Sequence, residues 1–173
     1  MPRQRSTTKY AALVACVGLV TACGPTDPAG TDLAQTDLEQ RLEEMYEPDD
    51  PEDTLTAACQ GGLRAEDDAT RDCTVTTGND EVGVRARVTD VEADDLGIET
   101  TPFLPPESVE DAITSSLEVQ GYTDVETVCD GELIGLTGEA IVCQVTTPEG
   151  RTKVNVDVTS VKGLLVNFDF KGE

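Results

Sequence analysis

Two stretches of the chain alternate apolar and polar residues with a period of two. The apolar positions are Val82, Val84, Ala86 and Val88 in the first stretch and Val154, Val156 and Val158 in the second. Such a period is typical of an antiparallel strand that buries one face and exposes the other. The outward polar positions include Arg85 and Arg87 in the first stretch and Asn155 and Asp157 in the second. Both stretches are therefore predicted to be half-buried strands of antiparallel sheets.

A helical period precedes each predicted strand region. The apolar stripe of the first helix is Leu38, Leu42, Met45 and Tyr46, and that of the second is Val109, Ala112, Ile113 and Leu117. Thr36 is the predicted N-cap of the first helix, and Pro48 lies beyond its end. Pro106 opens the second helix, and Gly121 is predicted to end it. Each strand region is thus expected to follow one amphipathic helix.

Four cysteines repeat with one spacing. Cys59 and Cys73 are 14 positions apart, and Cys129 and Cys143 repeat that spacing 70 positions further along the chain. The strands repeat at the same offset, because Cys73-Thr-Val-Thr-Thr matches Cys143-Gln-Val-Thr-Thr. Four cysteines allow three pairings, but the repetition favours Cys59 with Cys73 and Cys129 with Cys143. The sequence therefore predicts a tandem duplication with one disulfide in each copy.

These elements predict an α+β fold of two tandem units. In each unit one helix packs on a small antiparallel sheet of three or four strands. A unit this short buries only a small hydrophobic core, and one disulfide adds to its stability. The predicted units are residues 36–104 and 105–173, with residues 99–106 as the joint between them. The polar residues 23–35 are predicted to form a flexible tether.

The N-terminus has the organisation of a bacterial lipoprotein signal. Basic residues at 3, 5 and 9 precede an apolar run from Ala11, which closes with Val20-Thr-Ala-Cys23 and is too short to span a bilayer permanently. We therefore expect residues 1–22 to be removed and Cys23 to be lipidated, which would anchor the protein on the extracytoplasmic face of the cell membrane. The alternatives are an ordinary signal peptide cut after Ala22 and a retained helix with an incidental cysteine.

The order of these features resembles the actinobacterial domain-of-unknown-function family 4333. The resemblance rests on the lipobox, the polar tether, the helix, the Cys-x-Val-Thr strand and the Val-x-Val-x-Val-Thr strand after it, and it extends over most of residues 32–171. It implies a secreted or lipid-anchored envelope protein with a disulfide-bonded domain. It supplies no catalytic residue.

Charge and residue content disfavour several classes of function. The chain has 35 acidic and 12 basic residues, a net charge of −23, and the net charge becomes −26 once residues 1–22 are removed. Such a surface repels nucleic acid and anionic lipid headgroups, so attachment to the membrane is expected through Cys23 alone. The chain has no histidine, which removes the usual general base and the usual transition-metal ligand. We expect a protein that is not an enzyme and has no cofactor, no metal and no nucleic-acid partner.

Two acidic stretches carry a separate hypothesis. Residues 47–53 and 92–95 contain oxygen ligands of the kind that calcium prefers. Neither stretch has the alternating ligands and the turn glycine of an EF-hand loop, so a solvated acidic face is favoured. Adaptation of the host to salt would also explain the acidity.

The expected function is a non-catalytic protein- or ligand-binding module of the cell envelope, whose partner is an unidentified envelope protein or ligand. The candidate binding residues are Arg85, Arg87, Phe103 and Leu104. Phe103 and Leu104, between Pro102 and Pro105, either pack between the units or form an exposed recognition patch. The alternatives are a structural or charge-bearing envelope component without a specific ligand, and an inhibitor of a secreted enzyme. Phe168 and Phe170 alternate with polar residues on the last strand and are predicted core residues.

Overall fold

The structure, a computed structural model, describes residues 32–46, 54–78, 80–92 and 95–172. The predicted signal peptide, Cys23, the acidic stretch 47–53 and residues 93–94 of the second acidic stretch lie outside the described residues. Below, residues 32–104 are called the first half and residues 105–172 the second half.

The described residues form two α-helices and nine β-strands. In chain order they are α1 (Gln35–Met45), β1 (Leu55–Cys59), β2 (Thr70–Thr77), β3 (Asp80–Glu92), β4 (Asp95–Leu104), α2 (Pro106–Val119), β5 (Glu126–Cys129), β6 (Leu133–Ile134), β7 (Ala140–Thr147), β8 (Gly150–Lys162) and β9 (Leu165–Gly172). Every pair of hydrogen-bonded neighbouring strands among them is antiparallel. The predicted α+β class is therefore confirmed.

The strands form two sheets. The first has the order β1-β2-β3-β4-β6, and the second has the order β5-β7-β8-β9. The period-two pattern decides which face is covered, because Val84, Ala86 and Val88 on β3 are fully buried. On β8 the alternate positions Val154 and Val156 are buried in the same way. Helix α1 contacts β1 and helix α2 contacts β5, so a helix covers the apolar face of each sheet.

Each helix buries two residues of its predicted apolar stripe completely and leaves another residue of the stripe exposed. Leu38 and Leu42 on α1 are completely buried, whereas Met45 is 48% exposed. On α2, Val109 and Ile113 are completely buried, and Ala112 is exposed. The predicted ends of α2 are confirmed, since Pro106 begins the helix and Gly121 follows it with φ +97°.

The prediction that Thr36 caps α1 is wrong. The helix begins at Gln35 after Ala34, and no side chain caps it. The start is set instead by Leu33, whose N–H and C=O both bond to the backbone of Leu63 at 2.9 Å. In addition, Asp32 Oδ1 accepts a hydrogen bond from the N–H of Ala65 at 3.0 Å. Asp32 and Leu33 therefore contact the fold, and the predicted tether extends too far at its C-terminal end.

Each disulfide joins an edge strand to its neighbour. Cys59 on β1 is bonded to Cys73 on β2, and Cys129 on β5 is bonded to Cys143 on β7, as the repetition predicts. In both cases the two cysteines lie directly opposite each other in the strand register. Each disulfide thus reinforces an edge strand, which pairs with only one neighbouring strand.

A helix carboxylate covers the free edge beside each disulfide. Glu39 Oε1 accepts from the N–H of Cys59 at 2.9 Å, and Glu110 Oε1 accepts from the N–H of Cys129 at 2.8 Å. On α1, Gln35 Nε2 also donates to the carbonyl of Cys59 at 3.0 Å. Helix side chains therefore bond to backbone groups that an edge strand would otherwise present to another strand.

We expect Glu39→Gln to flatten the dependence of stability on pH in acid. The N–H of Cys59, and then the amide of Gln35, hold the pKa of Glu39 below its ordinary value of 4.5. A carboxylate with a lowered pKa stabilises the fold above the ordinary carboxyl pKa, and this stabilisation is lost as the pH falls through the lowered value. Glutamine still offers an oxygen to the Cys59 N–H but does not ionise. Urea unfolding from neutral pH down to about pH 3 measures the difference, and equal losses in both proteins would contradict the assignment.

The joint between the halves is not a linker. Residues 99–106 were predicted as the joint, but β4 continues to Leu104 and α2 begins at Pro106. The end of β4 pairs with β6, because Phe103 lies opposite Ile134 and Leu104 lies opposite Leu133. Consequently a strand from the second half completes the first sheet, which has five strands instead of the predicted three or four.

The two halves have separate cores, and one leucine from each half packs against the core of the other. The first core contains Leu38, Leu42 and Val84, and Leu164 from the second half packs against it. The second core contains Ile113 and Val156, and Leu104 from the first half packs against it. Each core therefore includes surface supplied by the other half.

Candidate binding cavity

A cavity of about 470 Å³ lies between the end of α2, the β7–β8 hairpin and the end of β9. It is called the α2 cavity below. Its base is apolar and is formed by the buried Val145 and Val154 together with the half-buried Leu117 and Phe170. Its volume falls in the range of sites that hold small ligands in proteins.

The rim of the α2 cavity is polar and exposed. It includes Tyr122, Thr152, Glu149 and Arg151. Arg151 forms no hydrogen bond or ion pair with another side chain among the described residues. The cavity thus combines an apolar base with a polar rim.

The way α2 ends brings Tyr122 to this rim. The carbonyl of Leu117 accepts hydrogen bonds from the N–H groups of Gln120 and Tyr122, at 3.0 Å and 3.2 Å. This reversal passes through Gly121, whose φ of +97° lies in a region that glycine adopts without strain. The turn therefore places Tyr122 beside the last helical leucine.

The first half fills the equivalent space with a tyrosine. Tyr46, at the end of α1, lies 71 positions before Leu117, and Thr100 on β4 lies 70 positions before Phe170. Tyr46 packs against the first core, and its hydroxyl donates to Thr100 Oγ1 at 2.7 Å. Leucine at 117 has neither the ring nor the hydroxyl to make this contact. The cavity in the second half is therefore explained by a smaller side chain at the end of the helix.

Arg85, a predicted binding residue, lies at the junction of the halves. Its Nε donates to Asp72 Oδ1 at 2.7 Å and its Nη1 donates to Glu132 Oε1 at 2.9 Å. Asp72, followed by Glu132, raises the pKa of the guanidinium because both carboxylates bond to its charged form. The guanidinium also lies 5.2 Å from the centre of the Phe103 ring. Since Glu132 belongs to the second half, Arg85 links the two halves.

Arg87, the second predicted binding arginine, is also paired within the chain. Its Nη2 donates to Glu99 Oε2 at 2.7 Å and its Nη1 donates to Asp68 Oδ1 at 2.8 Å. These bonds to Glu99 and Asp68 raise its pKa. The guanidinium groups of both β3 arginines are therefore hydrogen-bonded to carboxylates of the same chain.

Phe103 and Leu104 lie between the halves. Phe103 is half-buried opposite Gly83, and a Cβ at position 83 would overlap its ring. Leu104 packs against the second core. Of the two placements expected for this pair, the structure shows packing at the junction.

Comparison with protein families identifies part of the chain. Residues 14–93 match the family model described as Domain of unknown function (DUF4333). The match confirms the family that the sequence resembles and includes α1, the Cys59–Cys73 disulfide and β3. Comparison with curated proteins and with solved structures gives no match.

The DUF4333 segment and the α2 cavity do not overlap. Arg85 and Arg87 lie within residues 14–93, whereas the cavity is lined by residues from Leu117 onward. From the sequence, Leu117 is predicted only as part of the apolar stripe of α2, and Tyr122 and Arg151 have no predicted role. The available signal was the change from Tyr46 to Leu117 at equivalent helix positions, because it removes volume from an otherwise repeated pattern.

Two further properties of the described residues concern membranes and metals. Among the described residues, neither helix combines the length and the apolar character needed to cross a bilayer. The same residues contain no group of three or more histidine, cysteine, aspartate or glutamate side chains arranged to hold a metal ion. The calcium hypothesis for residues 47–53 falls outside the described part of the chain.

Proposed function

We propose that the protein is a lipid-anchored component of the cell envelope that binds a small ligand on the extracytoplasmic side without catalysing a reaction. The observation that carries this proposal is the α2 cavity, with its apolar base and polar rim. The first half, with Tyr46 bonded to Thr100, serves as a closed counterpart of the same arrangement.

Anchoring is supported by the N-terminal pattern and by the disulfides. The segment Val20-Thr-Ala-Cys23 ends an apolar run in the way that lipoprotein signals do. The Cys59–Cys73 and Cys129–Cys143 bonds suit an oxidising compartment outside the cytosol. An acyl chain at Cys23 supplies the membrane affinity that the surface of the cleaved chain, with a net charge of −26, lacks.

We also propose that the fold consists of two tandem copies of one helix-on-sheet module. Beyond the cysteines, backbone hydrogen bonds recur 70 positions apart: Asp68 donates to the carbonyl of Val88, and Gly138 donates to that of Val158. Asp68 and Gly138 both have positive φ, at 63° and 93°. The register shifts after Val88 in one sheet and after Val158 in the other. Shared irregularities of this kind support a tandem duplication of one module, because the fold class does not require them.

A binding role fits the chemistry of the residues better than catalysis. The chain has no histidine, and Cys59, Cys73, Cys129 and Cys143 are committed to disulfides. Glu149 and Arg151 at the cavity rim provide charge but no nucleophile with an adjacent base.

Native mass spectrometry of the detergent-solubilised full chain tests the binding role. After exposure to an extract of the host envelope, the wild type is expected to retain a small molecule, and Leu117→Tyr is expected to lose it because the new ring fills the cavity. Val119→Tyr is the matched control, since residue 119 lies on the same helix, is 89% exposed and does not line the cavity. No retained mass on the wild type, or equal retention by Leu117→Tyr, would refute the proposal.

Fractionation of cells tests the anchor. Cys23→Ala is expected to move the protein from the membrane fraction to the soluble extracytoplasmic fraction, because the acyl chains are its proposed attachment. Continued recovery of the variant with membranes would contradict lipidation at Cys23.

A further inference from the structure

We infer that the outer edge of β9 binds an extended, basic peptide segment of a partner, which pairs with the backbone of Phe168 and Phe170 as an added strand. The binding surface is the backbone edge of β9 and not the base of the α2 cavity, so this role goes beyond the proposed small-ligand function. Three observations support it: the direction of the backbone groups of β9, the covering of the other sheet edges, and the charge of the chain.

The backbone groups of Phe168 point away from the second sheet. Phe168 lies opposite Val158 in the register of β8 and β9. Both backbone groups of Val158 are bonded on the other side of β8, since its N–H donates to the carbonyl of Glu139 at 2.9 Å and its carbonyl accepts from the N–H of Gly138 at 3.0 Å. Because backbone groups alternate along a strand with a period of two, those of Phe170 point outward in the same way.

The other strands that end a sheet are covered or short. They are β1 and β6 in the first sheet and β5 in the second. Helix carboxylates bond to the edges of β1 and β5, as described above, and β6 has only two residues. Strand β9 has eight residues and pairs with β8 alone in the described part of the chain. Its outward N–H and C=O groups are therefore available to an added strand.

The open edge of β9 follows from a difference between the two helices. The matching carboxylate bonds of α1 and α2 align position 41 with position 112. In the first half, Arg41 Nη1 donates to the carbonyl of Leu96 at 2.8 Å, on the outer edge of β4. Leu96 lies 70 positions before Val166 on β9. Ala112 carries only a methyl group, so the second half lacks the helix side chain that bonds to this edge in the first.

The charge of the protein selects a basic partner. The cleaved chain has a net charge of −26, and a field of this sign attracts cationic segments and repels acidic ones, including a second copy of the same chain. An extended peptide offers N–H and C=O groups that match those of Phe168 and Phe170. Backbone pairing thus supplies the fit, and the charge supplies the preference for lysine or arginine.

Amide hydrogen exchange of the detergent-solubilised full chain, followed by NMR, tests the inference. In the protein alone, the amides of Phe168 and Phe170 are expected to exchange at least about tenfold faster than those of Asp169 and Lys171, which face β8. A saturating peptide of alternating lysine and valine, seven residues long, is expected to slow exchange at Phe168 and Phe170 by at least about tenfold. A peptide with glutamate in place of lysine is expected to leave exchange unchanged.

Two modified peptides separate backbone pairing from attraction between charges. One is methylated on the backbone nitrogens of its valines and the other on those of its lysines, so each keeps the side chains and the charge. The peptide whose methyl groups face β9 is expected to lose the protection of Phe168 and Phe170, and the other peptide is expected to keep it.

A variant copied from the first half closes the edge. In Ala112→Arg the new guanidinium is expected to bond to the carbonyl of Val166, as Arg41 does to that of Leu96, and to weaken the lysine peptide roughly threefold to tenfold. Ser115→Arg is the matched control, because it adds the same charge at an exposed position of the same helix.

Four results would overturn the inference. They are unchanged exchange at Phe168 and Phe170 with the lysine peptide, equal slowing by the glutamate peptide, equal binding of the two methylated peptides, and equal affinity of Ala112→Arg and Ser115→Arg for the lysine peptide. If Phe168 and Phe170 are instead protected without peptide and lose that protection on dilution, a second copy of the chain covers the edge and the peptide assignment is wrong.

Discussion

Replacing Cys129 and Cys143 together by alanine is expected to lower the free energy of unfolding by about 3 kcal/mol. The bond closes a loop with a sequence separation of 14, and its loss frees the unfolded chain to adopt more conformations. It also holds the edge strand β5 to β7, and Cys143 is buried in the second core. Urea unfolding of the full chain, followed by circular dichroism, measures the change.

The first half provides the matched experiment. Cys59→Ala with Cys73→Ala removes a bond of the same sequence separation between β1 and β2, so a loss of similar size is expected. The wild type unfolded in the presence of a reductant should show the combined loss. A change below about 1 kcal/mol in both double variants would contradict a stabilising role for the two bonds.

Local patterns were sufficient to predict the helices, the long strands and the disulfides. Val84, Ala86 and Val88 are buried on one face of β3 because the side-chain period of a strand is two, and this holds whichever strands lie beside it. The cysteine pairs are close in sequence and fall on neighbouring strands, so the repeat was enough to choose among three pairings.

The junction depends on contacts that no local pattern carries. Strand β6 is only Leu133–Ile134, which is too short to show any period. Phe103 and Leu104, between prolines, are predicted to lie at a joint between the units, where they either pack or form an exposed patch, and not in a strand that pairs across it. Pairing of β4 with β6 joins residues about 30 positions apart, and the bond from Arg85 to Glu132 joins residues 47 positions apart. Both depend on contacts that are distant in sequence.

The candidate cavity was missed for a related reason. A cavity is defined by what is absent between helix and sheet, and an apolar stripe that ends in Leu117 predicts only that this face is covered. The outward arginines Arg85 and Arg87 were predicted as binding residues because alternation places them outside the core. Alternation does not show that Asp72, Glu132, Asp68 and Glu99 are close enough to pair with them.

Truncating Ile113 to alanine is expected to destabilise the protein by about 2–5 kcal/mol, because the side chain is completely buried at the centre of the second core. For a domain of this size the midpoint of thermal unfolding should fall by roughly 4–20 °C. Leu42→Ala makes the equivalent change in the first core, where Leu42 is also completely buried. Differential scanning calorimetry of both variants measures the midpoints and the number of transitions.

Both variants are expected to keep a single transition, because the halves are joined through their cores. Leu104 and Leu164 each pack against the core of the other half, and β6 completes the first sheet. Cleavage of residues 1–22 would leave one tyrosine in each half, Tyr46 and Tyr122, and no tryptophan. In Ile113→Ala carrying Tyr122→Phe, the fluorescence of Tyr46 should therefore change at the same lowered temperature as Tyr122 does in Ile113→Ala carrying Tyr46→Phe. If Tyr46 instead reports the midpoint of the protein with intact Ile113, the halves unfold independently, and the shared strand and exchanged leucines do not couple them.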